Sequence, residues 1–88
     1  MDLGLKDRVV VITGAASGIG KAIAIAYANE GAKLALADIN FAGLKKLKNE
    51  LTTEVLIKNV DITDAKACKT FIANVVKTFG KIDILVNN

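Results

Sequence analysis

The sequence predicts an α/β protein: the first half of a doubly wound parallel sheet, β-α-β-α-β-α-β, with strand order 3-2-1-4. Short β-branched apolar runs alternate with segments of helical periodicity, and no proline or low-complexity linker interrupts them. Strands that alternate with helices in this way form right-handed crossovers and therefore a parallel sheet. At 88 residues the chain is at most one domain.

The first elements are marked by a change of period along the chain. The run "RVVVIT" (8–13) predicts a strand buried on both faces, and "KLALAD" (33–38) predicts a second one. Between them, residues 18–30 predict a helix that ends at Gly31, and Asn40 is a candidate cap for the next helix. The residues expected to face the core are Ile19, Ala22, Ile23, Ala26 and Tyr27 in the first helix and Phe41, Leu44, Leu47 and Leu51 in the second.

The remaining elements follow the same alternation. Residues 54–61 predict a third strand and residues 81–88 a fourth. We expect Thr63 to cap the helix between them, with Asp64 in its first turn and Gly80 at its end. The buried face expected for this helix comprises Cys68, Phe71, Ile72, Val75, Val76 and Phe79.

Composition excludes several classes of function. One cysteine and no histidine leave no internal disulfide, no zinc centre and no histidine triad within this chain, and no metal is expected. No apolar run approaches the roughly 18 residues of a membrane span, and no secretory signal is visible, so we expect a soluble cytoplasmic protein. The net charge of +3 permits nucleic-acid binding. However, the helical lysines lack interleaved aromatic residues, which favours solvated helix faces instead.

A glycine-rich loop, "TGAASGIG" (13–20), joins the first strand to the first helix. Unpaired N–H groups at a helix start attract an anion, and glycines let a pyrophosphate approach the backbone. A Walker loop is excluded because residues 15 and 22 are both alanine, and G-x-G-x-x-G fails because residue 16 is alanine. The remaining pattern is G-x-x-x-G-x-G. A plain strand-to-helix turn is the alternative, and three glycines at one turn argue against it.

Asp38 ends the second strand, a little under twenty residues after Gly20. A carboxylate at this position accepts hydrogen bonds from the adenosine ribose hydroxyls of a dinucleotide. Taken alone, Asp38 could also be a strand-end turn residue. A 2′-phosphate would meet like-charge repulsion there, and neither Ser17 nor Ile39 supplies a compensating positive charge. The expected cofactor is therefore NAD rather than NADP.

Three motifs in order resemble those of the classical short-chain dehydrogenase/reductase family. "TGAASGIG" matches the family's T-G-x-x-x-G-x-G motif, "VDITD" (60–64) resembles its third-strand signature, and "GKIDILVNN" (80–88) resembles the run into its N-N-A-G motif. The resemblance covers residues 7–88 and implies a Rossmann-type NAD(P)-binding domain.

The resemblance also implies roles for individual residues. Asp38 would hold the adenosine ribose, and Asp61 would accept a hydrogen bond from the adenine amino group. A cap of the next helix remains the alternative for Asp61. The complete set implied to contact the cofactor is Gly14, Ser17, Gly18, Ile19, Gly20, Asp38, Asp61, Ile62, Asn87 and Asn88.

The family's catalytic residues are not found in this chain. The motif N-N-A-G stops after Asn88, and the only tyrosine, Tyr27, has no lysine four residues later and is expected in the core. We therefore expect residues 1–88 to be the N-terminal, cofactor-binding part of an NAD-dependent oxidoreductase. By resemblance, its substrate would be a small alcohol or ketone and its assembly a homotetramer. No nucleic-acid or membrane partner is expected. The alternative is a non-catalytic nucleotide-binding or interaction module.

Overall fold

The computed structural model describes residues 4–88 and contains the predicted alternation of strands and helices. Along the chain the elements are β1 (Val9–Thr13), α1 (Gly18–Asn29), β2 (Lys33–Asp38), α2 (Phe41–Glu50), β3 (Val55–Asn59), α3 (Ala65–Phe79) and β4 (Ile84–Asn87). The four strands are parallel and lie in the order β3-β2-β1-β4, which confirms the predicted topology.

Helices cover both faces of the sheet. The connections from β1 to β2 and from β2 to β3 proceed in one direction across the sheet, and β4 returns to the other side of β1. Right-handed crossovers therefore place α1 and α2 on one face and α3 on the other. Val10 and Ile12 belong to the core on the first face, whereas Val9 and Val11 belong to the core on the second. All four are fully buried, as predicted for a doubly covered strand.

The face of α1 that meets the sheet differs from the prediction. Its buried residues are the small ones: Gly20, Ala24 and Ala28. Ile19 is 71% exposed, and the two alanines expected beside it on the core side, Ala22 and Ala26, are exposed too. Ile23 and Tyr27, also expected in the core, are half-buried and pack against it. The buried positions each follow one residue after Ile19, Ile23 and Tyr27, where small side chains let the helix lie close to the sheet.

The buried faces predicted for α2 and α3 are confirmed at their centres, but each prediction also included one residue that is exposed. Phe41 is 37% exposed and Val76 is 44% exposed. The fully or almost fully buried residues of these helices are Leu44, Leu47, Phe71 and Val75. None of the helices within residues 4–88 combines the length and the hydropathy that a membrane span requires.

Three helix ends match the sequence prediction. The Asn40 side chain accepts a hydrogen bond from the Gly43 N–H at 3.0 Å and so caps α2. Gly31, just beyond α1, and Gly80, at the end of α3, have positive φ values of 82° and 84°. A left-handed residue at this position is a common way to end a helix, and glycine adopts it without a steric penalty.

The start of α3 corrects the prediction. Asp64, rather than Thr63, is the N-cap, because its Oδ1 accepts hydrogen bonds from the main-chain N–H groups of Lys66 and Ala67, both at 3.1 Å. Aspartate is among the preferred capping residues, and its charge also complements the helix dipole. Thr63 and Asp64 are both residue types that cap helices, so the sequence pattern alone did not show which of them is the cap.

Candidate functional site

The loop between β1 and α1 leaves the start of the helix free of internal partners. Ser17 is the N-cap residue, but its hydroxyl donates to the Gly14 carbonyl oxygen at 2.7 Å and does not cap the helix. The first helical bond runs from the Lys21 N–H to the Ser17 oxygen. Within residues 4–88, the N–H groups of Gly18, Ile19 and Gly20 therefore have no acceptor. Such a terminus binds an anion.

Gly20 is required by the close approach of α1 to the strand that precedes it. A Cβ atom at this position would overlap the carbonyl oxygen of Gly14 and would lie 2.9 Å from the Asn88 Nδ2. Both neighbours are held by other contacts, so neither could move away easily. The glycine lets the first turn of the helix lie directly on the loop, with its free N–H groups at the edge of the sheet.

The end of β4 is hydrogen-bonded to the same loop. Thr13 donates from its hydroxyl to the Asn87 Oδ1 at 3.0 Å and accepts from the Asn88 main-chain N–H at 3.2 Å. The Asn88 side-chain amide donates to the Gly14 oxygen at 3.2 Å and to the Ser17 hydroxyl at 3.1 Å. The two asparagines thus connect the end of the neighbouring strand to the glycine loop.

Asp38 lies at the end of β2, where its carboxylate contacts the glycine loop. Its Oδ2 accepts the N–H of Ala16 and its Oδ1 accepts the N–H of Asn40, both at 2.9 Å. The bond from Asn40 is a strand-end turn contact, the alternative role considered for Asp38 in the sequence. The bond from Ala16, however, ties the carboxylate to the loop. An ionised carboxylate has about four acceptor positions, so two remain for a ligand.

Asp61 follows the third strand and uses one carboxylate oxygen for its own turn. Its Oδ1 accepts the Thr63 hydroxyl at 2.7 Å and the Thr63 main-chain N–H at 2.9 Å. These two bonds, the hydroxyl first, lower the pKa of Asp61 below its ordinary value. Its Oδ2 has no hydrogen bond within residues 4–88. Because Asp64 caps α3, the capping alternative for Asp61 is wrong.

A cleft of about 200 Å³ brings the candidate residues of β2 and of the segment after β3 together. Ile39 and Ile62, which lie on its rim, are 70% and 53% exposed. Exposed apolar side chains beside two carboxylates suit a flat heterocycle with polar edges. The cleft is lined by Gly14, Asp38, Ile39, Val60, Asp61 and Ile62.

Two contributors to this site were not identified from the sequence. Ala16 acts through its main-chain N–H, so its residue type carries no signal. Ile39 did offer one, since a large apolar residue that directly follows a strand-ending acid at the surface has no core to join. In the sequence, Ile39 contributed to the prediction only because it carries no positive charge.

Tyr27 lies outside this cluster of residues. It is half-buried and packs against the core of the first face. The cleft that it lines, about 500 Å³ between α1 and β4, shares no residue with the cleft at Asp38. Its position agrees with the core role expected from the sequence.

A parallel doubly wound sheet with a glycine loop, a free helix start and an acid at the end of the second strand is typical of nucleotide-binding α/β domains. Comparison with known families narrows this class. The sequence model of the family described as short chain dehydrogenase matches residues 8–88. The chain belongs to that family.

Known proteins of this family are similar in sequence and in structure. The chain is 41% identical over 90 residues to D-threitol dehydrogenase of Mycolicibacterium smegmatis, an alignment that covers 99% of this chain and 35% of that protein. The 3-ketoacyl-(acyl-carrier-protein) reductase of Brucella melitensis, complexed with NADH, superposes with a TM-score of 0.87 at 33% identity, covering 92% of this chain and 33% of that one. An alcohol dehydrogenase from the archaeon Thermococcus sibiricus, complexed with 5-hydroxy-NADP, gives 0.87 at 37% identity, with 91% and 36% covered. The chain spans about a third of the length of these relatives.

Proposed function

We propose that this chain supplies the dinucleotide-binding half of an NAD-dependent short-chain dehydrogenase/reductase, which transfers hydride between an alcohol or carbonyl substrate and the nicotinamide. The observation that carries the proposal is that two features lie side by side: the free N–H groups at the start of α1 and the Asp38 carboxylate. Ala16 of the glycine loop connects them, because its N–H donates to Asp38. The NADH complex of the Brucella melitensis reductase supports the same class of cofactor.

Each part of the dinucleotide has a matching group in the site. The pyrophosphate would accept the N–H groups at the start of α1, and the adenosine ribose would donate to the two remaining acceptor positions of Asp38. The adenine amino group would donate to the free Oδ2 of Asp61, with the ring against Ile62. Asn87 and Asn88 lie at the end of β4, where the nicotinamide half would begin. The pyrophosphate contacts would come from Gly14, Ser17, Gly18, Ile19 and Gly20.

The preference for NAD over NADP rests on how firmly Asp38 is held. With one main-chain N–H on each oxygen, the carboxylate cannot turn away from an incoming 2′-phosphate without losing a charge-assisted bond. Ile39, which follows it, offers no positive charge. One of the similar structures is complexed with a derivative of NADP, so the family does not by itself select NAD. The preference rests on Asp38 and Ile39 of this chain.

The test is a titration of NAD and NADP against the folded full-length protein, with and without Asp38→Ala. We expect NAD to bind more tightly to the unmodified protein, and the substitution to weaken NAD by roughly tenfold or more, because hydrogen bonds to a charged group are lost. NADP should lose less. Glu54→Ala, which removes an exposed acid just before β3, is the control and should change neither affinity. Equal affinities of the unmodified protein for NAD and NADP would disprove the role given to Asp38.

We further propose that the gene encodes more residues after Asn88, because the similar proteins are about three times as long as this chain. The family resemblance predicts Ala-Gly next, then a serine and a Y-x-x-x-K pair, which would carry the proton transfer. We propose that this longer protein forms the homotetramer and acts on the alcohol or ketone substrate. Sequencing downstream of the Asn88 codon is the test, and a stop codon there would favour a non-catalytic binding module.

A further inference from the structure

Gly43 is an unexpected residue in the first turn of α2. It is the third residue of the helix, where glycine costs about 1 kcal/mol relative to alanine. Its backbone does not explain it, since Gly43 is not among the residues with positive φ. Its N–H donates to the Asn40 side chain, a bond that any residue with a main-chain N–H could make. The reason for a glycine must lie in what surrounds it.

The space around Gly43 is filled by the glycine loop and by the helix cap. A Cβ atom at residue 43 would lie 2.7 Å from the Asn40 Nδ2 and 3.0 Å from the Ala16 Cβ. The first distance is too short for non-bonded atoms, but it is to the end of the Asn40 side chain, which can rotate. The second is tighter than ordinary packing and can be relieved only if Ala16 moves. The first turn of α2 therefore lies against Ala16 only because residue 43 has no side chain.

The same two neighbours hold the carboxylate of Asp38. The Ala16 N–H donates to one oxygen and the Asn40 N–H donates to the other, both at 2.9 Å. A side chain at residue 43 would push the loop and the helix cap apart. The Ala16 bond to the carboxylate would then lengthen, because Ala16 is the neighbour that has to move.

We propose that Gly43 is a positioning residue for cofactor discrimination: its missing side chain lets α2 and the glycine loop close on the Asp38 carboxylate from both sides. Gly43 itself touches no cofactor. The inference rests on the proposed function, since it concerns the choice between NAD and NADP. It adds a residue outside the glycine motif to those that control this choice.

The experiment compares Gly43→Ala with Ala42→Gly in the folded full-length protein. The dissociation constants of NAD and NADP are measured for each at a temperature where all variants are folded. For Gly43→Ala we expect weaker NAD binding and a fall of roughly tenfold in the NADP-to-NAD ratio of dissociation constants, equivalent to one charge-assisted hydrogen bond. Ala42 is exposed in the same turn, so Ala42→Gly changes helix propensity by a similar amount and should leave the ratio unchanged.

Hydrogen exchange of the Ala16 amide supplies a readout that needs no cofactor. It should become faster in Gly43→Ala and stay unchanged in Ala42→Gly, because only the first variant disturbs the bond to Asp38. Adding Asn40→Ser to Gly43→Ala should restore part of the ratio, since serine caps a helix with a shorter side chain.

The outcomes separate this inference from the proposed function. If the unmodified protein binds NAD preferentially but Gly43→Ala keeps both the ratio and the Ala16 exchange rate, Gly43 has no positioning role. A raised melting temperature in that variant would also count against the positioning role, because alanine in open helical space is stabilising. If the unmodified protein binds neither dinucleotide, the proposed function itself fails.

Discussion

At three strand ends within residues 4–88, an aspartate side chain accepts a main-chain N–H group and fixes the backbone there. Asp38 does so at the end of β2, Asp61 after β3, and Asp83 just before β4. Hydrogen bonds from main-chain N–H groups to a carboxylate are stronger than bonds between neutral groups. Its place at the end of the second strand identified Asp38 as a candidate ligand contact, and the family resemblance identified Asp61. The sequence did not identify their main-chain donors, since those depend on how separate segments meet.

Asp83 predicts a loss of stability in acid. Its Oδ2 accepts the Val9 N–H at 2.8 Å and lies 3.1 Å from the Lys81 ammonium. The Val9 bond, followed by the Lys81 bond, lowers the pKa of Asp83 below its ordinary value of 3.8. The stabilisation is therefore complete above the unfolded-state pKa and is lost as the pH falls through the lower folded-state pKa.

The measurement is the free energy of unfolding against pH for the full-length protein, unmodified and with Asp83→Asn. The difference between them should be constant near neutral pH and should shrink below about pH 4. Asp7→Asn is the control, because the Asp7 carboxylate makes none of these contacts. A difference between Asp83→Asn and the unmodified protein that is independent of pH down to about pH 2 would contradict this account.

At the scale of elements, the start of α3 tests the capping assignment. Asp64→Ala removes an acceptor of two main-chain N–H groups, and we expect a loss of about 0.5–2 kcal/mol in the free energy of unfolding. Asp64→Asn should keep most of it, because asparagine caps equally well. Urea unfolding provides the measurement. A larger loss from Thr63→Ala than from Asp64→Ala would return the cap to the residue expected from the sequence.

Element order and helix ends could be predicted because they depend on local chemistry. Asn40, Gly31 and Gly80 act within a few residues of their own position, and the structure confirms each. Helix faces were less predictable. Ile19 has the right spacing for the core and still points to solvent, because the distance between α1 and the sheet is set by Gly20 and by its contact with the loop.

At the scale of the whole molecule, β4 is the feature that would govern behaviour in solution. It pairs with β1 on one side, and no strand within residues 4–88 pairs with its other side. Leu85 is 60% exposed on this strand. An unprotected apolar edge of this kind promotes association between chains.

We predict that the isolated 88-residue chain self-associates or fails to fold cooperatively, and that Leu85→Lys reduces the association. A charge on an edge strand opposes pairing with another edge. Sedimentation velocity over a range of concentrations measures the effect. Ile39→Lys is the matched control, because Ile39 is 70% exposed and lies away from β4. A monodisperse, unmodified monomer with a sharp thermal transition would show that this edge is not adhesive.

The overall topology was predictable because the strand order follows from crossover handedness, which the alternation of elements determines. The geometry of the candidate site was only partly predictable from the sequence. Which residues follow which strand can be counted from the sequence. The contact between Gly43 and Ala16 cannot, because these residues are far apart in the chain and meet through packing alone.

The two main-chain donors on Asp38 also matter for redesign of the proposed cofactor preference. Replacing Asp38 with a small neutral residue to admit a phosphate would leave the Ala16 and Asn40 N–H groups without their acceptor. An engineered switch therefore has two tasks, to remove the charge and to keep an acceptor. Asparagine at residue 38 removes the charge but keeps only one of the two acceptor oxygens, so either the Ala16 or the Asn40 N–H group still loses its partner. Arginine in place of Ile39 would supply the positive charge from an exposed position.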